Sequence, residues 1–185
     1  KYSLISAMRA VAQMVSYEIP MVLSLLGVIM LTGSLKMREM VNYQDNNAWL
    51  FLLQPLAFII FFISASAELN RTPTDIMEGE SEIVAGYHTE YSSFKFGLFY
   101  MAEYTNTIAI SAIISLVFFG GWLSAPILNW LPAWLWFIAK VYFFFCVFVW
   151  IRATLPRLRI DQLMSLAWKC LLPLALINVL VTGLE

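Results

Sequence analysis

Five apolar stretches, each close to the length that a membrane crossing needs, constrain the fold of this chain more than any other feature. They cover Ala7 to Leu31, Ala48 to Ser66, Phe94 to Phe119, Leu135 to Thr154, and Leu163 to Thr182. A bilayer core about 30 Å thick takes roughly 20 helical residues per crossing. Backbone groups stay paired in lipid only in helices or closed barrels, and Phe58 to Ile63 and Tyr142 to Val149 lack barrel alternation. The sequence therefore predicts an all-α polytopic transmembrane helical bundle with about five membrane-spanning helices.

The composition fits a membrane protein and argues against several other classes. Hydrophobic residues make up 61% and charged residues 12% of the 185 positions, and the formal net charge of -1 favours no nucleic-acid partner. Cys146 and Cys170 lie in apolar runs without CxxC spacing, so we predict that they are packing residues. There is one histidine, His88, and no glycine-rich phosphate loop. We expect this chain to bind no metal or redox cofactor of its own.

The distribution of basic residues predicts an orientation. Five crossings place the N-terminus, residues 67–93 and residues 155–162 on one side of the membrane. That side carries Lys1, Arg9, Arg71, Lys95, Arg152, Arg157 and Arg159, against Lys36 and Arg38 on the other, with Lys140 near it. The positive-inside rule puts the first side in the cytoplasm or matrix. The tryptophans at 122, 130, 134 and 136 crowd the opposite boundary, as an interfacial aromatic belt does.

Residues 1–185 are interpreted as a single transmembrane domain without repeats or linkers. Residues 67–93 form an acidic loop within it on the cytoplasmic or matrix side. The chain starts at Lys1 with neither an initiator methionine nor a signal-peptide pattern. We expect it to be a fragment of a longer protein.

The loop after the second crossing, AELNRTPTDIMEGESEIVAGYHTEYSS, concentrates acidic residues at a membrane edge. Its acids are Glu68, Asp75, Glu78, Glu80, Glu82 and Glu90, with Arg71 as the basic residue among them. A solvated loop is one interpretation, because polar loops cost nothing in water. Clustered carboxylates under a protein cover would instead titrate together and hold protons. His88 is either a proton carrier or a local charge partner of these acids.

Two further acids, Glu18 and Glu103, lie within predicted membrane crossings, where a charge is costly and usually functional. Around Glu103, one polar stripe runs along the helix through Tyr100, Tyr104, Thr107 and Ser111. The stripe begins where the acidic loop ends, so carboxylates run from the aqueous edge toward the membrane interior. This order is typical of a proton relay, and polar packing between helices is the alternative.

The first and fourth predicted crossings contain further cationic and polar side chains. A polar face of the first crossing contains Arg9, Gln13, Ser16, Tyr17 and Ser24, and Glu18 points away from Arg9. Snorkelling to the nearer membrane surface explains Lys140 and Arg152, near opposite ends of one crossing.

The segment Ala67 to Asn106 closely resembles the signature of the H-subunit family, which supplies a membrane subunit of respiratory complex I, the proton-pumping NADH:quinone oxidoreductase. AMRAVAQMVSYEIP, FFGGW and IRATLPRLRIDQLMSLAWKCLLPLAL extend the resemblance over essentially the whole chain. The family has eight helices, so the chain is expected to be its C-terminal part. Thr74 departs from the family, in which many members carry an aromatic residue before the aspartate.

The resemblance implies a subunit that forms part of a quinone tunnel and an acidic proton path linking the redox arm to the membrane arm. It places Glu18, Glu68, Asp75, Glu78, Glu80, Glu82, Glu90 and Glu103 on the proton path, and Arg71, Tyr87, His88, Phe94 and Phe99 in the quinone tunnel or its loop. Quinone is then the substrate.

The resemblance also implies that FMN and Fe–S clusters are held by partner subunits of the hydrophilic arm, and that further membrane-arm subunits and the lipid bilayer surround the chain. The implied location is the bacterial plasma membrane, with the mitochondrial inner membrane as the alternative. The related subunit of a membrane-bound hydrogenase or ferredoxin-linked complex, and a non-catalytic membrane anchor, are the alternative functions.

Overall fold

A computed structural model describes residues 2–70, 74–75, 91–124 and 132–184 of the chain, and the regular structure in this part is helical. The helices are α1 Tyr2–Thr32, α2 Met37–Asn46, α3 Leu50–Leu53, α4 Pro55–Glu68, α5 Phe94–Phe118, α6 Ala133–Thr154, α7 Ile160–Leu166 and α8 Leu172–Leu184, with a π-helical turn, Ala167–Leu171, joining α7 to α8. The all-α prediction is confirmed.

Within the described residues, four helical segments are long and apolar enough to cross a membrane. They are Ser3–Thr32, Phe94–Phe118, Ala133–Thr154 and Ile160–Leu184. The predicted second crossing, Ala48 to Ser66, is instead a broken pair, in which the four residues of α3 precede the 14 residues of α4. Gln54 leaves the helical conformation before Pro55, whose ring disfavours a helical residue in front of it. Sequence hydropathy did not show this break.

The helix directions alternate along the chain, as specific contacts show. Gln13 of α1 bonds to Ala67 at the end of α4, whereas Gln54 before α4 bonds to Gly27 of α1, so these helices are antiparallel. Tyr17 bonds to Leu163 of α7, and Gly27 lies against Asn178 of α8. The last crossing therefore runs parallel to α1.

The core between α4, α5 and α6 is largely aromatic. The ring of Phe58 lies 5.4 Å from that of Phe118, 5.6 Å from Phe119 and 6.4 Å from Phe144. Phe62 and Phe148 stack with centroids 5.0 Å apart. The start of α4 therefore meets the end of α5, so these helices are antiparallel. Phe58 and Phe62 of α4 meet Phe144 and Phe148 of α6 in the same order along both helices, so α6 runs parallel to α4 and antiparallel to α5.

We call the end of the bundle that contains Glu68 and Phe94 the loop end, and the end that contains α2 and Gly120 the opposite end. At the opposite end, Lys140 donates three hydrogen bonds, to the carbonyl oxygens of Phe119 at 2.7 Å, Gly121 at 3.0 Å and Leu123 at 2.8 Å. Snorkelling was therefore the wrong explanation for Lys140. Its ammonium group caps the turn after α5, at the negative end of the helix dipole.

The two cysteines also differ from the prediction. Cys146 and Cys170 are free thiols whose side chains are exposed on the surface of this chain. Their apolar neighbours in the sequence therefore mark a surface that faces outward from this bundle, and neither cysteine fills its core.

Candidate functional site

A carboxylate pocket of about 440 Å³ lies at the loop end, where α1, α4 and α5 meet. Its polar lining consists of Glu68, Asn70, Glu103 and Asn106, and its apolar lining of Met14, Leu69, Phe99 and Ala102. The pocket therefore joins an acid that follows the second predicted crossing to the acid within the third. Neither the loop nor α5 alone could form it.

The end of α4 places Glu68 and Asn70 in this pocket. Leu69 and Asn70 close the helix with backbone bonds to Ala65 at 3.1 Å and Ala67 at 3.2 Å. Asn70 adopts a φ of 49°, a left-handed conformation that asparagine tolerates better than most residues. The Oδ1 atom of Asn70 is buried and has no hydrogen-bond partner in the described part of the chain.

A buried glutamine of α1 ties down the chain next to this site. Gln13, 2% exposed, donates from Nε2 to the carbonyl oxygens of Ala67 at 2.7 Å and Thr74 at 3.0 Å. The hydroxyl of Thr74 in turn donates to the carbonyl of Ser66 at 3.2 Å. Thr74, the residue that departs from the family pattern, thus holds half-buried Asp75 near the end of α4.

Electrostatics favour a proton on Glu68. Glu68 lies at the end of α4, beyond the predicted crossing, and is half-buried. Burial raises the pKa of this carboxyl, and the negative charge of Glu18 raises it further. Glu18 itself is exposed on α1 and lies outside the set of residues that line the pocket. The charge of Glu18 therefore acts on Glu68 from outside the pocket.

The stripe predicted around Glu103 divides into two parts. Near the loop end, Tyr104 is 44% exposed and Glu103 is half-buried. Deeper, Thr107 and Ser111 are buried, and their hydroxyls donate to the helix carbonyls of Glu103 at 2.9 Å and Thr107 at 2.7 Å. The deeper part of the stripe thus faces neighbouring helices, and its hydroxyl protons are engaged within α5.

An open, shallow depression of about 520 Å³ lies next to the pocket on an exposed face of α5, and it shares Ala102 and Asn106 with the carboxylate pocket. Its remaining lining is Leu98, Met101, Thr105 and Ala109. The walls of both are mostly apolar, and the pocket adds two carboxyls to them.

Comparison with known proteins identifies the family of this chain. The family model described as NADH dehydrogenase matches residues 1–183. The chain belongs to the NADH dehydrogenase family. It is 57% identical over 185 residues to the H subunit of the NADH-quinone oxidoreductase of Dehalococcoides mccartyi strain CBDB1, covering 100% of this chain and 51% of that protein.

Similar relatives occur in other bacteria. The H subunit of the NADH-quinone oxidoreductase of Geobacillus thermodenitrificans strain NG80-2 is 51% identical over 183 residues, covering 99% of this chain and 55% of that protein. An H subunit of the corresponding enzyme of Geobacter sulfurreducens is 52% identical over 184 residues, covering 100% of this chain and 52% of that protein. The chain thus spans about half the length of these curated NADH dehydrogenase family relatives.

The structure of this NADH dehydrogenase family chain brings some of the predicted site residues together. Glu68, Glu103 and Phe99 share the carboxylate pocket, and Phe99 also contacts the ring of Tyr91 at 5.1 Å. Phe94, at the start of α5, is 77% exposed and does not line the pocket. The other predicted positions, Arg71, Glu78, Glu80, Glu82, Tyr87, His88 and Glu90, lie outside the described residues.

Sequence analysis missed the amides of the site. Asn106 follows Glu103 by three positions, so helical spacing could have added it to the same face. Asn70 follows an apolar helix directly, where asparagine is a common terminating residue. Among the described residues, no group of three histidines, cysteines or acids is arranged to hold a metal ion.

Proposed function

We propose that this chain is the quinone-site and proton-coupling part of the membrane subunit of an NADH-quinone oxidoreductase. The observation that carries the proposal is the pocket that joins Glu68, Glu103 and Phe99 beside an exposed face of α5. Its carboxyls and amides are groups that can hydrogen-bond the carbonyl oxygens of a quinone, and its apolar walls suit the quinone ring. The names of the relatives support this substrate, because they are quinone oxidoreductase subunits.

Quinone reduction consumes two electrons and two protons, and the chain is suited to the proton part. Carboxyl groups in a pocket at the end of a helical bundle can release and take up protons near their pKa. Glu68 is such a group, since burial raises its pKa. Electrons come from NADH through FMN and Fe–S clusters held by partner subunits, and this chain is catalytically inert without them. Its surroundings are the bacterial plasma membrane and further membrane-arm subunits.

In this proposal, Glu103 passes protons between the carboxylate pocket and the membrane interior. It lines the pocket, and its own helix continues with buried Thr107 and Ser111 below it. Glu18 acts through its charge on Glu68, and Asp75, Glu78, Glu80, Glu82 and Glu90 form the loop part of the path. Phe99 contacts the quinone ring, with Phe94, Arg71, Tyr87 and His88 near the loop.

The test is the Glu103→Gln variant of the assembled complex, with quinone reductase rate and proton uptake measured in vesicles. Glutamine keeps size and hydrogen bonding but cannot titrate, so assembly survives while proton transfer falls about 100-fold or more. Glu103→Asp retains part of the activity, because the acid remains on a shorter stem.

Glu39→Gln is the matched control, because Glu39 lies in α2 at the opposite end. It makes an exposed ion pair with Lys36 at 3.1 Å, which contributes little to stability. We expect this variant to pump at the original rate. Full activity of an assembled Glu103→Gln complex would instead make Glu103 a structural residue of a membrane anchor.

A further inference from the structure

Three residues from three segments meet in the half of the bundle away from the carboxylate pocket. They are Gly27 of α1, Gln54 at the break before α4, and Asn178 of α8. A Cβ atom built on Gly27 would lie 2.8 Å from Nδ2 of Asn178 and 3.3 Å from Oε1 of Gln54. Gln54 is 4% and Asn178 is 6% exposed. Glycine at position 27 therefore leaves room for two buried amides to converge on α1.

Each of these amides presents an unsatisfied atom at this point. Oε1 of Gln54 and Nδ2 of Asn178 are both buried without a hydrogen-bond partner in the described part of the chain. A buried polar group left unpaired destabilises the folded state. One of these atoms is an acceptor and the other a donor. Two such costs at one place indicate a further molecule that satisfies both atoms.

The orientation of Gln54 is fixed by its neighbour. Nε2 of Gln54 donates to the carbonyl oxygen of Gly27 at 3.5 Å. Rotating the amide by half a turn would set Oε1 against that carbonyl, oxygen to oxygen. The unpaired atom of Gln54 is therefore an acceptor in the preferred orientation.

The chemistry of the two atoms selects the ligand. A metal cation would be repelled by the N–H groups of Asn178, and an anion by the oxygen of Gln54. An apolar group would leave both atoms unpaired. Water donates and accepts at once, and buried water in proteins typically bridges polar groups of this kind.

We propose that Gly27, Gln54 and Asn178 form a binding site for one buried water molecule, which accepts a hydrogen bond from Nδ2 of Asn178 and donates one to Oε1 of Gln54. The water links α1, the break before α4, and α8. The break before Pro55 lets Gln54 direct its amide toward α1, where the water binds.

The first test is a density map of the assembled complex, purified from its membrane, at a resolution that shows ordered water. We expect a separate peak about 2.7–3.2 Å from both Oε1 of Gln54 and Nδ2 of Asn178. Direct contact between these two atoms with no separate peak would overturn the proposal. So would the rotation of either amide onto another protein group.

Substitution of Gly27 by alanine gives a second test. Its methyl group would occupy the space between the amides, so we expect the peak to disappear and the melting temperature of the complex to fall. Gly183→Ala is the matched control in the neighbouring helix, because its Cβ would meet only the flexible end of Met30, at 3.2 Å. We expect this control to keep the peak. A peak that persists in Gly27→Ala contradicts the proposed position.

A double-substitution cycle keeps the proposal testable if Gly27→Ala does not assemble. Gln54→Met and Asn178→Leu each leave the water with one amide, so each lowers the melting temperature. The double variant removes both amides, and we expect it to melt no lower than the less stable single variant. Additive losses would mean that the amides act independently, without a shared water.

Discussion

The charge of Glu18 influences a carboxyl that belongs to another helix. Glu18 lies on the exposed side of α1, while Glu68 ends α4 and lines the carboxylate pocket. Burial is the larger cause of the raised pKa of Glu68, and the charge of Glu18 is the smaller one. The charge of Glu18 therefore affects the proton affinity of Glu68 from outside the pocket.

Replacing Glu18 by glutamine should lower the pKa of Glu68, because one of its two causes disappears. Burial remains, so the pKa of Glu68 stays above the ordinary glutamate value. Glu68 in this variant loses its proton at a lower pH than in the original protein. The measurement is an infrared pH titration of the assembled complex, following the carbonyl band of protonated carboxyl groups.

Glu68→Gln shows which part of that band comes from Glu68, because this variant lacks the contribution of the Glu68 carboxyl. Arg38→Gln serves as a charge-change control at the opposite end of the chain, and should leave the titration of Glu68 in place. An unchanged titration in Glu18→Gln would show that Glu18 lies too far from Glu68, or is too well solvated, to affect it.

The acids of the candidate site are easier to recognise from the sequence than the polar residues beside them. Glu103 stands out because a carboxyl in an apolar crossing is costly without a function. Asn70 does not, since its unpaired Oδ1 depends on a left-handed turn that hydropathy cannot show. The role of Thr74 depends on Gln13, which lies 61 positions earlier in the chain. Contacts over such separations need a structure.

At the level of single helices, the ends of the crossings depend on side chains from other helices. Gln44 of α2 donates to the carbonyls of Leu116 at 3.2 Å and Val117 at 3.0 Å, near the end of α5. Lys140 of α6 donates to the carbonyls that follow α5, those of Phe119, Gly121 and Leu123. The last carbonyls of a helix have no partner within it, so these two side chains supply what α5 lacks. Periodicity predicted the helices but not these partners.

Lys140→Met should loosen the turn that follows α5. The substitution keeps an unbranched side chain but removes the donor for three carbonyls, and it removes a cation 5.5 Å from the ring of Trp49. We expect the complex to lose about 1–3 kcal/mol of stability. Hydrogen exchange at the amides of Gly121 and Leu123 should become faster.

Arg152→Met is the matched control on the same helix. Arg152 is exposed and makes no hydrogen bond or ion pair within the described ranges, so its loss should leave exchange near Gly121 unchanged. Equal exchange rates in both variants would mean that the backbone of the turn holds itself without Lys140. The bond from the amide of Gly121 to the carbonyl of Ser115, at 2.8 Å, would then be sufficient.

At the scale of the whole chain, the alternating directions of the helices bring the residues of the candidate site together at the loop end. Because α1 and α4 are antiparallel, Gln13 meets Ala67, and because α4 and α5 are antiparallel, Glu68 shares a pocket with Glu103. The order of crossings in the sequence was enough to predict this alternation. The closeness of Glu68 to Glu103 was not predictable, since it also requires α4 to lie beside α5.

This arrangement predicts which residues a water-soluble reagent reaches from each side of the membrane. Asp45→Cys lies in α2 at the opposite end, whereas Arg157→Cys lies between α6 and α7 at the loop end. We expect a membrane-impermeant maleimide to label Arg157→Cys from the cytoplasmic side only, and Asp45→Cys from the other side only. Positive charge near the loop end sets this orientation. Vesicles of known sidedness provide the measurement.

The two native cysteines are also thiols, so their reaction with the maleimide sets the background labelling in the same experiment. Cys146 and Cys170 lie inside helical segments that are apolar enough to cross the membrane, so lipid should shield both thiols from a polar reagent. Ser92→Cys, exposed just before α5, should label from the same side as Arg157→Cys. If Asp45→Cys also labelled from that side, an even number of crossings would separate α2 from α5. The broken helix of α3 and α4 would then enter and leave the membrane at the same face.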